Sequence, residues 1–373
     1  MGVVGCGLMG KELASAAARW LHLPGQQVRP RITAACDPVP AALEWFTANC
    51  GPLAVATADP AEVFRSKDVD AVYLAVPHDR HADLAVAAIE AGKALLAEKP
   101  FGIDLAAAER ITAAMKANPS VFVRVSSEFP FFPGCQRVIC MVREGGIGRI
   151  IEVEGSFLHG SDLDPTKPIN WKRRVATCGE YGVMGDLGLH VLHVPLRFGW
   201  KPASVHAVLS KIVMKRPDGK GGLAECETWD NARLTCRVPH ADGEFPMVLR
   251  MERIAPGETN SWSIEIRGTK GSARFSTKHP KTFSFMSYQE GKEQSWQTVD
   301  TGQASVFPTV TGGIFEFGFS DAILQMWAGF LNEQAGLPVS FGCVTPDEAL
   351  ASHRLFTAAL RSQKDRTEVR LSN

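Results

Sequence analysis

Three short patterns in this 373-residue chain hold groups that can do chemistry. The first is a glycine hexad, Gly5-Cys6-Gly7-Leu8-Met9-Gly10. Its first glycine permits a tight turn, its second lets backbone approach an anion, and its third lets a helix pack closely on a strand. The second is Glu98-Lys99-Pro100. A lysine that is desolvated, or that lies beside another positive charge, loses its proton near neutrality and can act as a general base. The third is Asp186-Leu-Gly-Leu-His190, a carboxylate and an imidazole four residues apart, which share one face of a helix. His193, three further on, joins that stripe. A dinucleotide loop, an amine, a carboxylate and an imidazole together suit one reaction: a base removes a hydroxyl proton while the carbon's hydride leaves for a nicotinamide.

Such groups need elements to hold them. Over residues 1–126, apolar runs at Met1–Val4, Arg31–Cys36, Leu53–Ala56, Ala71–Val76, Ala94–Ala97 and Val121–Ser126 alternate with alanine-rich helical patterns such as Leu84–Ala91 and Leu105–Lys116. Gly92 stands where the first of these helices would end, Asp104 where the second would be capped, and Pro119 beyond its close. Alternating strands and helices predict a doubly wound parallel sheet of the Rossmann type. The glycine hexad falls at its first strand–helix junction, where free N–H groups at a helix start favour a pyrophosphate. Asp37, at the end of the second run, can accept both ribose hydroxyls and would repel a 2′-phosphate, which favours NAD over NADP. Lys99 falls at the C-terminal edge of a central strand, where such sheets place ligands. The first run is shorter than the usual five or six residues, which points to a few residues preceding Met1.

Residues 127–373 read as an α+β domain with a large, mostly antiparallel sheet. Its β-rich runs are Ile150–Phe157, Ser204–Met214, Ala232–Val238, Pro246–Glu252 and Ser261–Arg267, with helical patterns at Cys135–Glu144, Asp186–Phe198, Phe319–Gln334 and Pro346–Ser362. Pro195 should kink or end the helix that carries Asp186. Phe315–Phe319 reads as core or interface packing.

Order and spacing then become specific. Asp70–His81 and Ala91–Pro100 are followed by Glu144–Ile150, Asp186–His190, Ile264–Gly271 and Thr345–Ala349. Together these resemble the glucose–fructose oxidoreductase/inositol dehydrogenase/MocA family over nearly the whole chain. The resemblance implies a Rossmann domain, a second domain whose open sheet often forms an oligomer interface, and a sugar or polyol held between the two. It implies active-site roles for Lys99, Asp186 and His190, and places Trp171 and Arg173 near the substrate. Pro77, His78 and His81 follow the fourth strand on the nicotinamide side, with Glu98 next to Lys99. The chain departs from the family at His193, where an aspartate is common, and at Phe129–Pro133, which replaces an Arg-Phe pair.

The implied activity is NAD-dependent oxidation of a ring hydroxyl of a sugar, sugar derivative or cyclitol. The alternative is a redox glycosidase using the same residues and bound NAD with no net NADH, with His193 and Tyr181 as spare acid–base groups. A nucleotide-binding regulator without turnover is disfavoured by the intact Lys99, Asp186 and His190. Lys172, Arg173 and Arg174 could grip an anionic substituent, or form a solvated charged face.

Bulk composition narrows the partners. Formal net charge is zero, which gives no electrostatic case for nucleic acid or anionic membrane. No apolar run is long enough to span a bilayer. Nine scattered cysteines, with no CxxC pair, are best read as reduced thiols in a cytoplasmic enzyme, without a metal. A homodimer or homotetramer is expected from the resemblance.

Overall fold

A computed structural model describes residues 1–241, 243–302, 305–311 and 317–371. The contacts divide the chain into two compact units. The first, largely Met1–Phe131, is built on six parallel strands: β1 (Gly2–Val4), β2 (Ala34–Cys36), β3 (Val55–Thr57), β4 (Ala71–Leu74), β5 (Ala94–Ala97) and β6 (Val123–Val125). Their order is β3-β2-β1-β4-β5-β6, with the reversal between β1 and β4 that marks a doubly wound sheet. β1, β2, β4 and β5 are buried along their whole length, so they read as unbroken apolar runs. Helices α1 (Leu8–Ala18), α2 (Pro40–Asn49), α3 (Pro60–Arg65), α4 (His78–Glu90) and α5 (Leu105–Ala117) connect them. The punctuation works as expected. Asp104 accepts the Ala107 N–H at 2.8 Å and starts α5, while Gly92, at φ +74°, follows the end of α4.

The second unit, largely Phe132–Ala304 and Leu350–Asn373, holds a nine-stranded sheet. Helices α6 (Pro133–Arg143), α7 (Val175–Cys178) and α8 (Val183–Arg197) belong to it. Its strands are β7 (Ile150–Leu158), β8 (Ser204–Ser210), then, after a separate small hairpin of β9 (Lys215–Pro217) and β10 (Leu223–Glu225), β11 (Asn231–His240), β12 (Gly243–Glu252), β13 (Ser261–Gly268), β14 (Gly271–Ser276), β15 (Thr282–Ser287), β16 (Gln297–Asp300) and β17 (Val369–Arg370). All neighbours pair antiparallel except β7 with β12.

Three differences from the sequence reading have local causes. The run Ser204–Met214 leaves the sheet after Ser210, because the Asp230 carboxylate takes the N–H groups of Ile212 (2.6 Å) and Val213 (3.1 Å) that a ladder would need. α8 runs two residues past Pro195 and stops at Arg197, so the proline sits in its last turn. Helix α9 (Phe319–Gln334) belongs to the first unit, where Trp327 meets Trp20 edge-on at 5.9 Å. The last helix is α10 (Pro346–Asp365). Phe315 lies outside the described residues, while Phe317 packs at 5.2 Å from Phe132. Among the described residues, no helix is long and apolar enough to cross a membrane.

Candidate active site

The glycine loop joins β1 to α1, and each glycine has its own reason. Gly5 has φ +98°, and a Cβ there would sit 2.1 Å from the Ala75 carbonyl oxygen. A Cβ on Gly10 would meet the Gly5 oxygen at 2.2 Å. Nothing lies within 4 Å of a Cβ built on Gly7, so the backbone there is open to approach. Leu8 is 76% exposed and Met9 half-buried. α1 has no side-chain cap and no acidic residue in its first turn, which leaves its positive end for an anion. Asp37 follows β2: its Oδ2 accepts the Cys6 N–H at 2.8 Å and its Oδ1 the Val39 N–H at 2.9 Å. A carboxylate has lone pairs beyond these two, enough for ribose hydroxyls. The loop and the acid therefore fit a dinucleotide. Asp37→Ala is expected to weaken NADH binding roughly 10- to 100-fold and to narrow the preference over NADPH. Fluorescence titration with both reduced cofactors checks it.

At the C-terminal edge of the same sheet, β5 delivers Glu98 and Lys99. Glu98 is buried and accepts a 2.7 Å hydrogen bond from the Tyr73 hydroxyl on β4. Burial, reinforced by the charge of Glu98, holds the Tyr73 phenol well above its ordinary value, so it stays a donor. Lys99 is half-buried, with its backbone N–H 3.3 Å from Glu98 Oε2. Pro77 is exposed at the N-cap of α4; His78 and His81 behind it are buried, their rings edge-on at 6.0 Å. His81 Nε2 lies 2.9 Å from the Val76 carbonyl, which can only accept, so Nε2 carries the proton. Burial pushes His81 down to about 4, leaving it neutral at physiological pH. It pins the loop between β4 and α4.

In the second unit, α8 starts after Gly182 at φ +55°, where a Cβ would stand 2.7 Å from the Trp229 nitrogen. Asp186 lies in the first turn and His190 one turn on; Gly188 between them is small because Phe356 of α10 would contact a Cβ at 2.3 Å. The Asp186 carboxylate is buried between two cations. Arg253, 0% exposed, donates from Nη2 (2.9 Å) and Nε (3.2 Å) to Oδ2, and Lys172 Nζ donates to Oδ2 at 3.0 Å and Oδ1 at 3.2 Å. Burial opposes the charge on Arg253, but Asp186 and Cys178 together outweigh it and hold the guanidinium above its ordinary value. His190 is buried, edge-on to Phe157 at 5.4 Å, and its carbonyl accepts from Trp262 Nε1 at 3.1 Å. His193 is fully buried, its Nε2 3.3 Å from Arg197 Nη2.

The charged run beside Trp171 is spoken for within the chain. Lys172, 5.7 Å from the Trp171 ring, holds Asp186. Arg173 is buried against Asp162 and Asp230 (2.8 Å), and Arg174 reaches Glu227 at 3.9 Å. Burial, with Arg253 and Arg216 nearby, pushes Arg173 down to about 10, so it is still a cation at neutral pH. These pairings account for the run without a substrate anion. The Tyr181 hydroxyl lies 2.7 Å from Thr357 Oγ1 and donates to the His353 carbonyl at 3.2 Å, so it ties α10 down. Arg253 was missed from sequence: it is the residue after an alternating run. Among the described residues, no group of three or more His, Cys, Asp or Glu could hold a metal ion.

The sheet order and glycine cradle define a Rossmann-type domain built to bind a dinucleotide. Comparison with known proteins makes this specific. Residues 1–126 match the model of the Gfo/Idh/MocA oxidoreductase family with an NAD-binding Rossmann fold, and residues 135–274 match that of the GFO/IDH/MocA C-terminal domain. The chain belongs to this NAD-binding oxidoreductase family. It is 28% identical to levoglucosan dehydrogenase of Pseudarthrobacter phenanthrenivorans, over 82% of this chain and 80% of that one. It is 29% identical to glycosyl hydrolase family 109 protein 1 of Bacteroides thetaiotaomicron, over 46% of this chain and 37% of that one. The crystallised levoglucosan dehydrogenase in complex with NADH and L-sorbose shares its fold, with a TM-score of 0.88 at 24% identity, covering 100% of this chain and 98% of that one.

Proposed function

We propose that the protein oxidises a ring hydroxyl of a neutral sugar, sugar derivative or cyclitol. The observation that carries this is Lys99, half-buried at the C-terminal sheet edge beside a glutamate already engaged by Tyr73. NAD, when bound, would supply the hydride acceptor. Gly5, Gly7, Leu8, Met9, Gly10 and Asp37 would hold its pyrophosphate and ribose, with Pro77, His78, His81 and Glu98 lining the nicotinamide end.

Lys99 takes the hydroxyl proton as its amine. Asp186, kept ionised by Arg253 and Lys172, orients a substrate hydroxyl, and His190 passes the proton on. Trp171 offers an apolar face to a sugar ring. The domains we assign are 1–126 for cofactor and 127–373 for substrate and self-association as a dimer or tetramer. The uncovered sheet face around Ser156, Arg250 and Ser263 supports that association, and sedimentation tests it.

A second reading is supported by the similarity to a glycosyl hydrolase. There the same base and acid would oxidise a glycoside, eliminate the aglycone, add water and return the hydride. Incubating the protein and NAD with levoglucosan, myo-inositol and p-nitrophenyl glycosides, while following NADH and nitrophenol, separates the two. Net NADH supports the dehydrogenase. Nitrophenol without net NADH supports the glycosidase, and neither signal with any sugar overturns both.

A further inference from the structure

The sheet edge at Lys99 holds one more buried acid than proton removal needs. Glu128 is 3% exposed and precedes the short turn Phe129–Phe131, which the Phe131 N–H closes on the Glu128 carbonyl at 2.9 Å. β6 runs beside β5 in the register Leu95↔Val123, Leu96↔Arg124, Ala97↔Val125, and the Ser126 N–H donates to the Ala97 carbonyl at 2.8 Å. Parallel strands in this register emerge at the same edge, so residues 126–128 come out beside 98–100. The Glu128 carboxyl feels the negative charge of Glu98 and the positive charge of Lys99. From the other elements here, Tyr73 on β4 bonds Glu98 and also feels Glu12 of α1, while His81 on α4 feels Lys99. Tyr73 stays protonated and His81 stays neutral, so neither exchanges a proton near neutrality.

The geometry points to Glu128 as a positioning residue that shares one proton with the Lys99 amine: the proton rests on either group, and the reactive form has the amine neutral and the carboxyl protonated. This rests on Lys99 being the base. Burial first, then the charge of Glu98, pushes Glu128 up to about 8, with Lys99 drawing it back down. When the hydroxyl proton moves to Lys99, Glu128 loses its own to water, and the pair is neutral before and after. The ammonium thus forms beside a new carboxylate instead of beside a neutral acid.

The test needs no substrate. The NAD-bound protein is labelled with trace fluorodinitrobenzene across the pH range, and modification of Lys99 is read by peptide mass spectrometry. In the native chain, Lys99 reactivity should rise in two steps, because the amine and the carboxyl titrate as a pair. Glu128→Gln should give a single step with its midpoint lower by about one pH unit or more, since a stabilising anion is gone. Glu128→Asp should restore the two-step curve. A single-step native curve overturns the proposal, and that measurement stands even if the Gln variant fails to fold. So does an unchanged midpoint in a folded Gln variant. A merely structural Glu128 would change NADH affinity or folding without moving the curve. If the curve behaves as expected but Lys99→Ala still turns over, the coupling stands and the assignment of the base fails.

Discussion

Lys99→Ala is expected to lower kcat by roughly 10²- to 10⁴-fold, the usual contribution of a positioned general base, while NADH binding stays close to that of the native protein. The two effects separate because the groups that would hold the cofactor lie elsewhere. Gly5 and Gly10 are fixed by backbone packing, and Asp37 is tied to the loop through the Cys6 N–H. None of these contacts passes through the Lys99 side chain. Lys99→Arg should not restore turnover, because a guanidinium keeps its proton at any working pH and cannot act as a base. A small primary amine added to the alanine variant should recover part of the rate, because it supplies the missing base. Steady-state rates with whichever sugar gives NADH, set against fluorescence titration of NADH, check the prediction. Turnover within ten-fold of native would remove Lys99 from the role of base.

What could be read without coordinates follows from how far apart the interacting residues are. Strands β1, β2, β4 and β5 were legible because burial on both faces leaves continuous apolar runs, and the glycine loop because backbone geometry admits no other residue at Gly5. The pairing of Asp186 and His190 on one helix was legible because four-residue spacing is local. Edge strands were not. β16 is exposed along its length and β17 has two residues, so neither carries an apolar signal. The partner of α9 was not legible either, since a helix buried on nearly every side has no polar stripe to show which sheet it serves. The partners of the charged run at Lys172–Arg174 were not legible, because Asp162, Asp186, Glu227 and Asp230 lie outside the run and are brought to it only by the fold. Arg253 was hidden for the same reason: its significance is Asp186, 67 residues away.

Arg253→Leu is expected to destabilise the second unit by about 3–5 kcal/mol, the usual cost of removing one partner from a buried ion pair. Arg253 is 0% exposed and Asp186 2% exposed, so the carboxylate left behind cannot be hydrated. Lys172 still reaches it, but that ammonium is partly solvated and cannot supply the two-pronged contact of a guanidinium. The sign of the pH response separates this cause from a simple packing defect. A buried carboxylate stripped of its guanidinium has its pKa raised above the unfolded value, so the folded variant binds a proton more readily than the unfolded chain. The deficit should therefore be largest at neutral and alkaline pH and shrink as pH falls through the raised pKa. A cavity or a clash would cost the same at every pH. Adding Asp186→Asn to Arg253→Leu should recover much of the stability, because no buried charge is then uncompensated, yet it should not recover activity. Urea unfolding of the single and double variants at two pH values provides the cycle. A pH-independent deficit, or a double variant no more stable than the single one, would mean that Arg253 matters through its shape and not through the charge on Asp186.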